Sequence, residues 1–282
     1  MIVQSNNLLA EAIKTNNPFI VARVSDNCTK LSLYGNDNYR AGSALYDGIY
    51  FSKSPDLEES CEGVVELYRD TYNESFKNSD YLASFNGLAK REEDTYMDRF
   101  PHLKKLFYYA LEPYYICLEN ERPWSLDLYG KRVLIINPFI GSFQKQLNAG
   151  FKIFEDKDIF HPQQEFVFYK PYQTTMRNHL HSSWAETYEL MKDDIRNIEF
   201  DIALLGCGGY GMPLCNFIKA ELQKSAVYVG GSLQLLFGVK GKRWVKMKTI
   251  GDIIRENGNF IYPSGDECPP NYQNLEGGCY WE

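Results

Sequence analysis

Histidine is scarce in this chain. Its 282 residues include four, His102, His161, His179 and His181, and none stands in an H-x-x-x-H or H-E-x-x-H spacing. That excludes the usual helical zinc site. His179 and His181 alternate about Leu180 and would share one side of an extended segment, a weak basis for a metal. The seven cysteines are odd in number and scattered, and no pair has C-x-x-C spacing. A zinc ribbon and a thioredoxin-type site are therefore not supported, and thiols in a reducing compartment are the simplest reading. Cys207 and Cys215 flank a turn and an apolar helix and read as small buried residues. No stretch approaches 18 continuous apolar residues, so no membrane span is expected. The N-terminal MIVQSNNLLAEAIKTNN lacks the basic region and apolar core of a signal peptide. The expected location is the cytoplasm.

Positive charge is also in short supply. The formal net charge is −7, and the basic runs are brief: Lys104-Lys105, Lys131-Arg132 and the cluster from Lys240 to Lys248. A nucleic-acid partner needs a basic stripe to neutralise phosphates, so none is expected. The last cluster is enough for one diphosphate. No Gly-x-Ser-x-Gly elbow is present, which argues against a serine hydrolase.

Aromatic residues are abundant. They make up 15% of the chain, with 21 Tyr and 17 Phe. Most serve to fill a core and its rim, but tyrosine also presents a flat apolar face with one polar tip, which suits sugars and bases.

Along the chain, Leu8 to Lys14 reads as a short amphipathic helix ended by Asn16-Asn17-Pro18. Phe19 to Val24 reads as a buried strand with Arg23 and Asp26 at its C-terminal end. Leu31 to Gly48 reads as loop or broken structure. Leu57–Tyr68, Ser75–Ala89 and Leu103–Glu112 read as helices, the last stopped by Pro113. Together they predict a helical insertion or cap over about residues 55–120. From Gly130 onward a βαβ rhythm sets in. Val133–Ile136, Phe166–Tyr169, Phe200–Leu205 and Ala226–Val229 are apolar runs of the kind that fit parallel strands buried on both faces. Helices are expected over 143–149, 184–197, 212–223 and 234–237. The expectation is a single α/β domain spanning 1–282: a Rossmann-like, mostly parallel sheet flanked by helices, with a ligand-binding half over about 121–262. The Pro-, Gly- and Asn-rich tail over 263–282 should wrap the domain.

Two glycine segments carry the chemistry. Leu204-Leu205-Gly206-Cys207-Gly208-Gly209-Tyr210-Gly211 follows a strand and opens a helix, where ligands of open α/β sheets gather. It is neither a G-x-G-x-x-G fingerprint nor a Walker A loop. Gly230-Gly231-Ser232-Leu233-Gln234 follows the next strand. Gln234 would hydrogen-bond a base or sugar hydroxyl, Lys242 and Arg243 would neutralise a diphosphate, and Trp244 would stack on a ring. Arg23 with Asp26 is a third candidate, in which Asp26 would hold a metal, bind a ribose or act as base. Its bland alternative is a turn-forming Asp. Pro138, Phe139 and Gln146 form a fourth.

Several of these strings together resemble a known family. They are Val21–Val24, Trp124 through Gly130–Ile136 to Phe139, Phe200–Leu214, Gly230–Gly238 through Gly241–Trp244, and Gly278-Cys279-Tyr280-Trp281. They are similar to the GT-D-fold glycosyltransferase-like proteins of surface-polysaccharide gene clusters, over most of the chain and most strongly from about residue 120. The resemblance implies a GT-D-like sheet, a nucleotide-sugar donor (a UDP-sugar as first choice) and transfer to a hydroxyl of an oligosaccharide or glycan acceptor. Polysaccharide biosynthesis would be the setting, and a homodimer is permitted. The family's first strand ends in an Arg and a D-x-E motif that serves Mn²⁺ or Mg²⁺ and the diphosphate. Here Asp26 is present, but Cys28 stands where the second acid is expected. Asp26 is then the base or lone metal ligand, with Asp80 and Glu121 as weaker bases. Two alternatives remain: a non-catalytic glycan- or nucleotide-binding protein of this fold, and a Rossmann-like enzyme of another class.

Overall fold

The computed structural model describes residues 1–35, 37–42, 48–50, 52, 62–85 and 89–282, with the backbone alone at 26, 37, 38, 41 and 62. Helix α1 (Ile2–Lys14) leads into β1 (Ile20–Arg23), α2 (Asp26–Tyr34), α3 (Asp37–Gly42) and α4 (Glu62–Lys77). Next come β2 (Tyr81–Ser84), α5 (Lys90–Arg99), β3 (Lys104–Phe107), a 3₁₀ turn at Tyr108–Leu111 and α6 (Pro113–Leu118). The second half runs β4 (Arg132–Ile136), α7 (Ile140–Asn148), β5 (Glu165–Tyr169), α8 (Trp184–Arg196), β6 (Ile202–Leu205), α9 (Gly211–Ala220) and β7 (Ser225–Tyr228). Helices α10 (Leu233–Leu236), α11 (Lys242–Val245) and α12 (Lys248–Asn257) follow.

The seven strands form one sheet in the order β3-β2-β1-β7-β6-β4-β5. Every pairing is parallel. This is the Rossmann-like α/β architecture that the apolar strand runs predict. Side chains alternate between two cores, as the period of two in a strand requires. Val21, Val133, Ile135, Ile202, Leu204 and Val227 face a layer built from α1, α7 and the C-terminal helices. Ile20, Ala22, Leu134, Ile136, Ala203, Leu205 and Tyr228 face the layer of α2, α4, α8 and α9. Burial on both faces explains why β4, β6 and β7 read as unbroken apolar runs.

Three segments differ from their sequence-based reading. The predicted helix over Ser75–Ala89 stops at Lys77 and gives way to β2, and the one over Leu103–Glu112 is β3 and its 3₁₀ turn. The expected helical insertion therefore contributes two of the sheet's strands. Both strands are four residues long without a β-branched residue, and the edge strand β3 carries Lys104 and Lys105, a common way of blunting a sheet edge. Strand pairing decides such segments, not intrinsic preference. The loop expected from Leu31 is likewise preceded and partly replaced by helices α2 and α3. The expected helix start at Leu57 falls outside the described residues. Among the described residues, no helix is long and apolar enough to cross a membrane.

Candidate functional site

The sheet has one topological switch. From β4 the chain runs outward to β5, whereas from β6 it runs inward to β7, so the connections part between β4 and β6. Ligands of open α/β sheets gather outside such a point. Here the chain fills it. Asn137, 2% exposed, donates to the Gly206 carbonyl at 3.0 Å and accepts from the Phe139 N–H at 3.0 Å. A Cβ on Gly206 would lie 2.5 Å from the Gly230 carbonyl oxygen, so this glycine allows backbone to meet backbone. Of the free N–H groups of α7, which would otherwise suit a phosphate, that of Ser142 is taken by Glu267 from the C-terminal tail. Its buried carboxylate accepts from the Ser142 N–H at 3.1 Å and from the Ser142 hydroxyl at 2.5 Å.

The first glycine segment is explained largely by packing. Gly211 makes room for the Tyr228 ring, whose Cε2 would lie 2.2 Å from an added Cβ. The Tyr228 hydroxyl donates to the Gly208 carbonyl at 2.9 Å. Gly208 is exposed with φ +58°, whereas Gly209 and Tyr210 are buried. Tyr210, expected to line a ligand, turns into the core and bonds Thr174 at 3.1 Å. Of this segment Gly208 is the exposed residue, with Gly206 and Cys207 half-buried before it.

The second segment and the first strand do converge. Arg23, at the C-terminal end of β1, donates from Nη1 to the Val229 carbonyl at 2.7 Å. Its guanidinium lies 4.9 Å from the Phe85 ring centre, 5.0 Å from that of Tyr108 and 5.9 Å from that of Tyr228, in cation–π range. Its Nε is buried without a partner. Gly230 makes this possible: its φ is +76°, and a Cβ there would sit 1.5 Å from Arg23 Nη1. Arg23, Tyr108 and Tyr280 are surrounded by protein on most sides yet keep part of their surface open, as the lining of a narrow crevice does. Burial works against the Arg23 charge, but Tyr108, Tyr228, Tyr280 and Glu112 outweigh it, and the guanidinium is held more firmly protonated than usual.

Glu112 escapes a reading of the sequence. It follows the 3₁₀ turn after β3, is 4% exposed, and accepts a hydrogen bond from the Tyr114 hydroxyl. Burial pushes its carboxyl up to about 7, while the hydroxyls of Tyr108 and Ser232 and the Arg23 charge pull it back. No ion pair joins it to Arg23 among the described residues, so the cation is not consumed by it. The available signal was an acid immediately before Pro113 at a helix start, hidden because β3 reads as a helix.

Other expected residues serve the tail. Arg243 pairs with Glu276, lies 4.9 Å from the Tyr280 ring centre, and its N–H donates to the Cys279 carbonyl at 3.0 Å. Trp244 is buried in the core and meets Tyr280 edge-on at 5.7 Å, so it offers no stacking face. Lys242 projects into solvent while its N–H bonds Trp281 at 2.8 Å. Gly231 leaves space for Tyr280, 2.5 Å from an added Cβ. Gln234 is fully buried, donates to the Tyr280 carbonyl at 3.2 Å, and leaves its Oε1 unpartnered. Gln146 bonds Gly238 and Asn259 within the core, and Phe139 packs on Trp281.

Asp26 opens α2 three residues after Arg23, and its side chain lies outside the described residues. Cys28 turns into the core, so the position of the second acid supplies no metal ligand. Among the described residues no three His, Cys, Asp or Glu side chains converge as a metal site would need. His179 instead stacks on Tyr50 at 4.5 Å, and His181 bonds Thr187 at 2.9 Å. Asp80 lies at the wrong end of the sheet: it precedes β2, accepts from the Ile20 N–H at 2.8 Å and pairs with Lys219 at 2.7 Å. Glu121 is exposed on the loop after α6. Set against family models, curated proteins and solved structures, the chain matches none of them.

Proposed function

We propose that this protein is a nucleotide-sugar-dependent glycosyltransferase that moves a sugar to a hydroxyl of a glycan acceptor. The observation that carries the reading is Arg23: a cation at the C-terminal end of a parallel strand, set in an aromatic crevice, with a buried Nε that no protein group satisfies. A buried donor without a partner is costly, and an anionic ligand would satisfy it. Glycosyl transfer from a nucleotide sugar releases a diphosphate, and a fixed guanidinium offsets the negative charge that grows on it. Phe85 and Tyr108, stacked on each other at 3.9 Å, and Tyr280 give the site aromatic surface for a base or sugar to lie against. Asp26, three residues beyond Arg23 at the start of α2, is the candidate base that takes the proton of the acceptor hydroxyl. No step is assigned to Mn²⁺ or Mg²⁺, because Cys28 gives no second carboxylate.

The test is a thermal-shift screen against UDP-, GDP-, dTDP- and CMP-sugars, with and without Mn²⁺. A donor that binds the native state alone raises the melting temperature. One nucleotide class should stabilise the protein, and Arg23→Gln should lose that shift. If no nucleotide sugar shifts the melt, the reading fails. The buried thiol of Cys28 in place of an acid favours a second reading, a binding protein of the same fold without catalysis. Donor hydrolysis by the purified protein separates the two, since a binder leaves the donor intact.

A further inference from the structure

We propose that the Arg23 crevice is a proton-coupled anion site, in which Glu112 takes up a proton as a doubly charged anion binds to Arg23. The inference deepens the reading above and rests on the same Arg23, since the diphosphate of a nucleotide sugar is such an anion, but it adds Glu112, a group which that reading does not use.

Three observations carry it. Glu112 is a buried carboxyl with no cation paired to it among the described residues, held by the Tyr114 hydroxyl and faced by those of Tyr108 and Ser232. Arg23 lies within electrostatic reach of it, yet among the described residues it donates one hydrogen bond, to the Val229 carbonyl, and keeps Nε unpartnered. The two groups share a part-exposed neighbour, Tyr108, whose ring centre lies 5.0 Å from the guanidinium and whose hydroxyl interacts with Glu112. The crevice thus holds one fixed positive charge and one carboxyl whose proton is free to come or go.

The charge balance follows. With Glu112 ionised, its negative charge offsets Arg23 and repels an incoming anion. With Glu112 protonated, Arg23 stands uncompensated and attracts it. Anion binding must therefore raise proton affinity at Glu112, and protonation must raise anion affinity by the same factor. The ionisable groups that face Glu112 are Arg23 from β1, Tyr108 from the 3₁₀ turn and Tyr115 from α6, beside the hydroxyls of Tyr114 and Ser232; Tyr280 faces Arg23 from the tail. Burial holds Tyr108, Tyr115 and Tyr280 above their ordinary value and so neutral near pH 7, and Glu112 is the group that changes charge there.

Sulfate is the first probe, because its own charge is constant between pH 6 and 8. Its affinity is measured by isothermal titration calorimetry at both pH values and matched ionic strength, in two buffers of different protonation enthalpy. Binding to the unaltered protein should be about tenfold tighter at pH 6 than at pH 8, with proton uptake at neutral pH. Glu112→Gln should bind sulfate equally at both pH values without uptake, and Arg23→Gln should not bind it. Tyr108→Phe keeps the ring but removes a hydroxyl that favours ionised Glu112, so its transition should move to higher pH. Sulfate binding that is absent, independent of pH, or unchanged in its pH dependence by Glu112→Gln overturns the proposal. UDP-glucose, whose diphosphate also keeps its charge, separates the two readings. If it binds equally at both pH values, the coupling is wrong and the donor site stands. Coupled sulfate binding without nucleotide-sugar binding leaves the coupling and removes the donor.

Discussion

At the scale of single residues, Gly230 and Glu112 make the sharpest predictions. Among the described glycines, Gly230 combines a left-handed backbone with the closest approach to a charged side chain, 1.5 Å between an added Cβ and Arg23 Nη1. Gly230→Ala must strain the backbone and push the guanidinium aside. We expect a loss of about 2–4 kcal/mol in urea unfolding, and loss of anion binding with it. Gly130, also at positive φ but with open space around it, should tolerate Ala at about 1 kcal/mol, the backbone cost alone.

Glu112 predicts a pH dependence of stability. Its folded carboxyl titrates at about 7 and its ordinary value is 4.5. Between those two values the folded state keeps a proton that the unfolded state has lost. Stability is therefore full below about 4.5, falls as pH rises towards 7, and levels off above it. The fall is on the order of 3 kcal/mol from this group. Unfolding measured from pH 4.5 to 8 should show the slope in the unaltered protein and a much shallower one in Glu112→Gln. An equal slope in both would assign the titration to another group.

At the scale of elements, the N-terminus of α7 shows why a motif beyond a strand end need not bind a ligand. The position suits an anion, and the chain supplies one of its own. Removing the Glu267 carboxylate leaves the Ser142 N–H and hydroxyl without their acceptor, and leaves the Ser264 N–H with Ser142 Oγ alone. Glu267→Ala should cost about 2–4 kcal/mol by thermal or urea unfolding, and Glu267→Gln less, since an amide oxygen still accepts. The glycines were legible as marking close approaches. What approaches them was not: a Tyr228 ring at Gly211, a carbonyl at Gly206, a guanidinium at Gly230. The strands divide similarly. β4, β6 and β7 declare themselves by apolar runs, whereas Tyr81–Ser84 becomes a strand because β1 offers an edge to pair with, and Lys104–Phe107 because β2 in turn offers one.

At the scale of the whole molecule, the tail joins the last two helical segments to the sheet. Trp281 is 3% exposed, donates from its indole to the Glu267 carbonyl at 3.2 Å and packs edge-on against Phe139. Gly241 is pressed against the backbone of Cys279 and Tyr280, 2.7 Å from an added Cβ. Deleting Cys279–Glu282 removes a buried indole and the wall that Tyr280 gives the crevice. A loss of about 3–5 kcal/mol is expected, read by urea unfolding, and sulfate binding should weaken in the shortened protein. Unchanged stability would mean that the tail only lies on the surface.

The sequence by itself determined the α/β class, the parallel strands of the second half, Arg23 at a strand end and the two glycine segments. Those are local properties: apolar runs of fixed period, turn residues at their ends, and glycine where backbone must bend or approach. Tertiary structure alone decided that β2 and β3 complete the sheet, that Trp244 and Tyr210 turn inward, that Arg243 holds the tail, and that Glu112 stands beside Arg23. Each depends on which groups meet across long stretches of chain, as Arg23 meets Val229, and no local pattern records such a meeting. Burial of a carboxyl is likewise a property of its surroundings, so the displaced acid–base behaviour of Glu112 was visible only once the fold had brought those surroundings together.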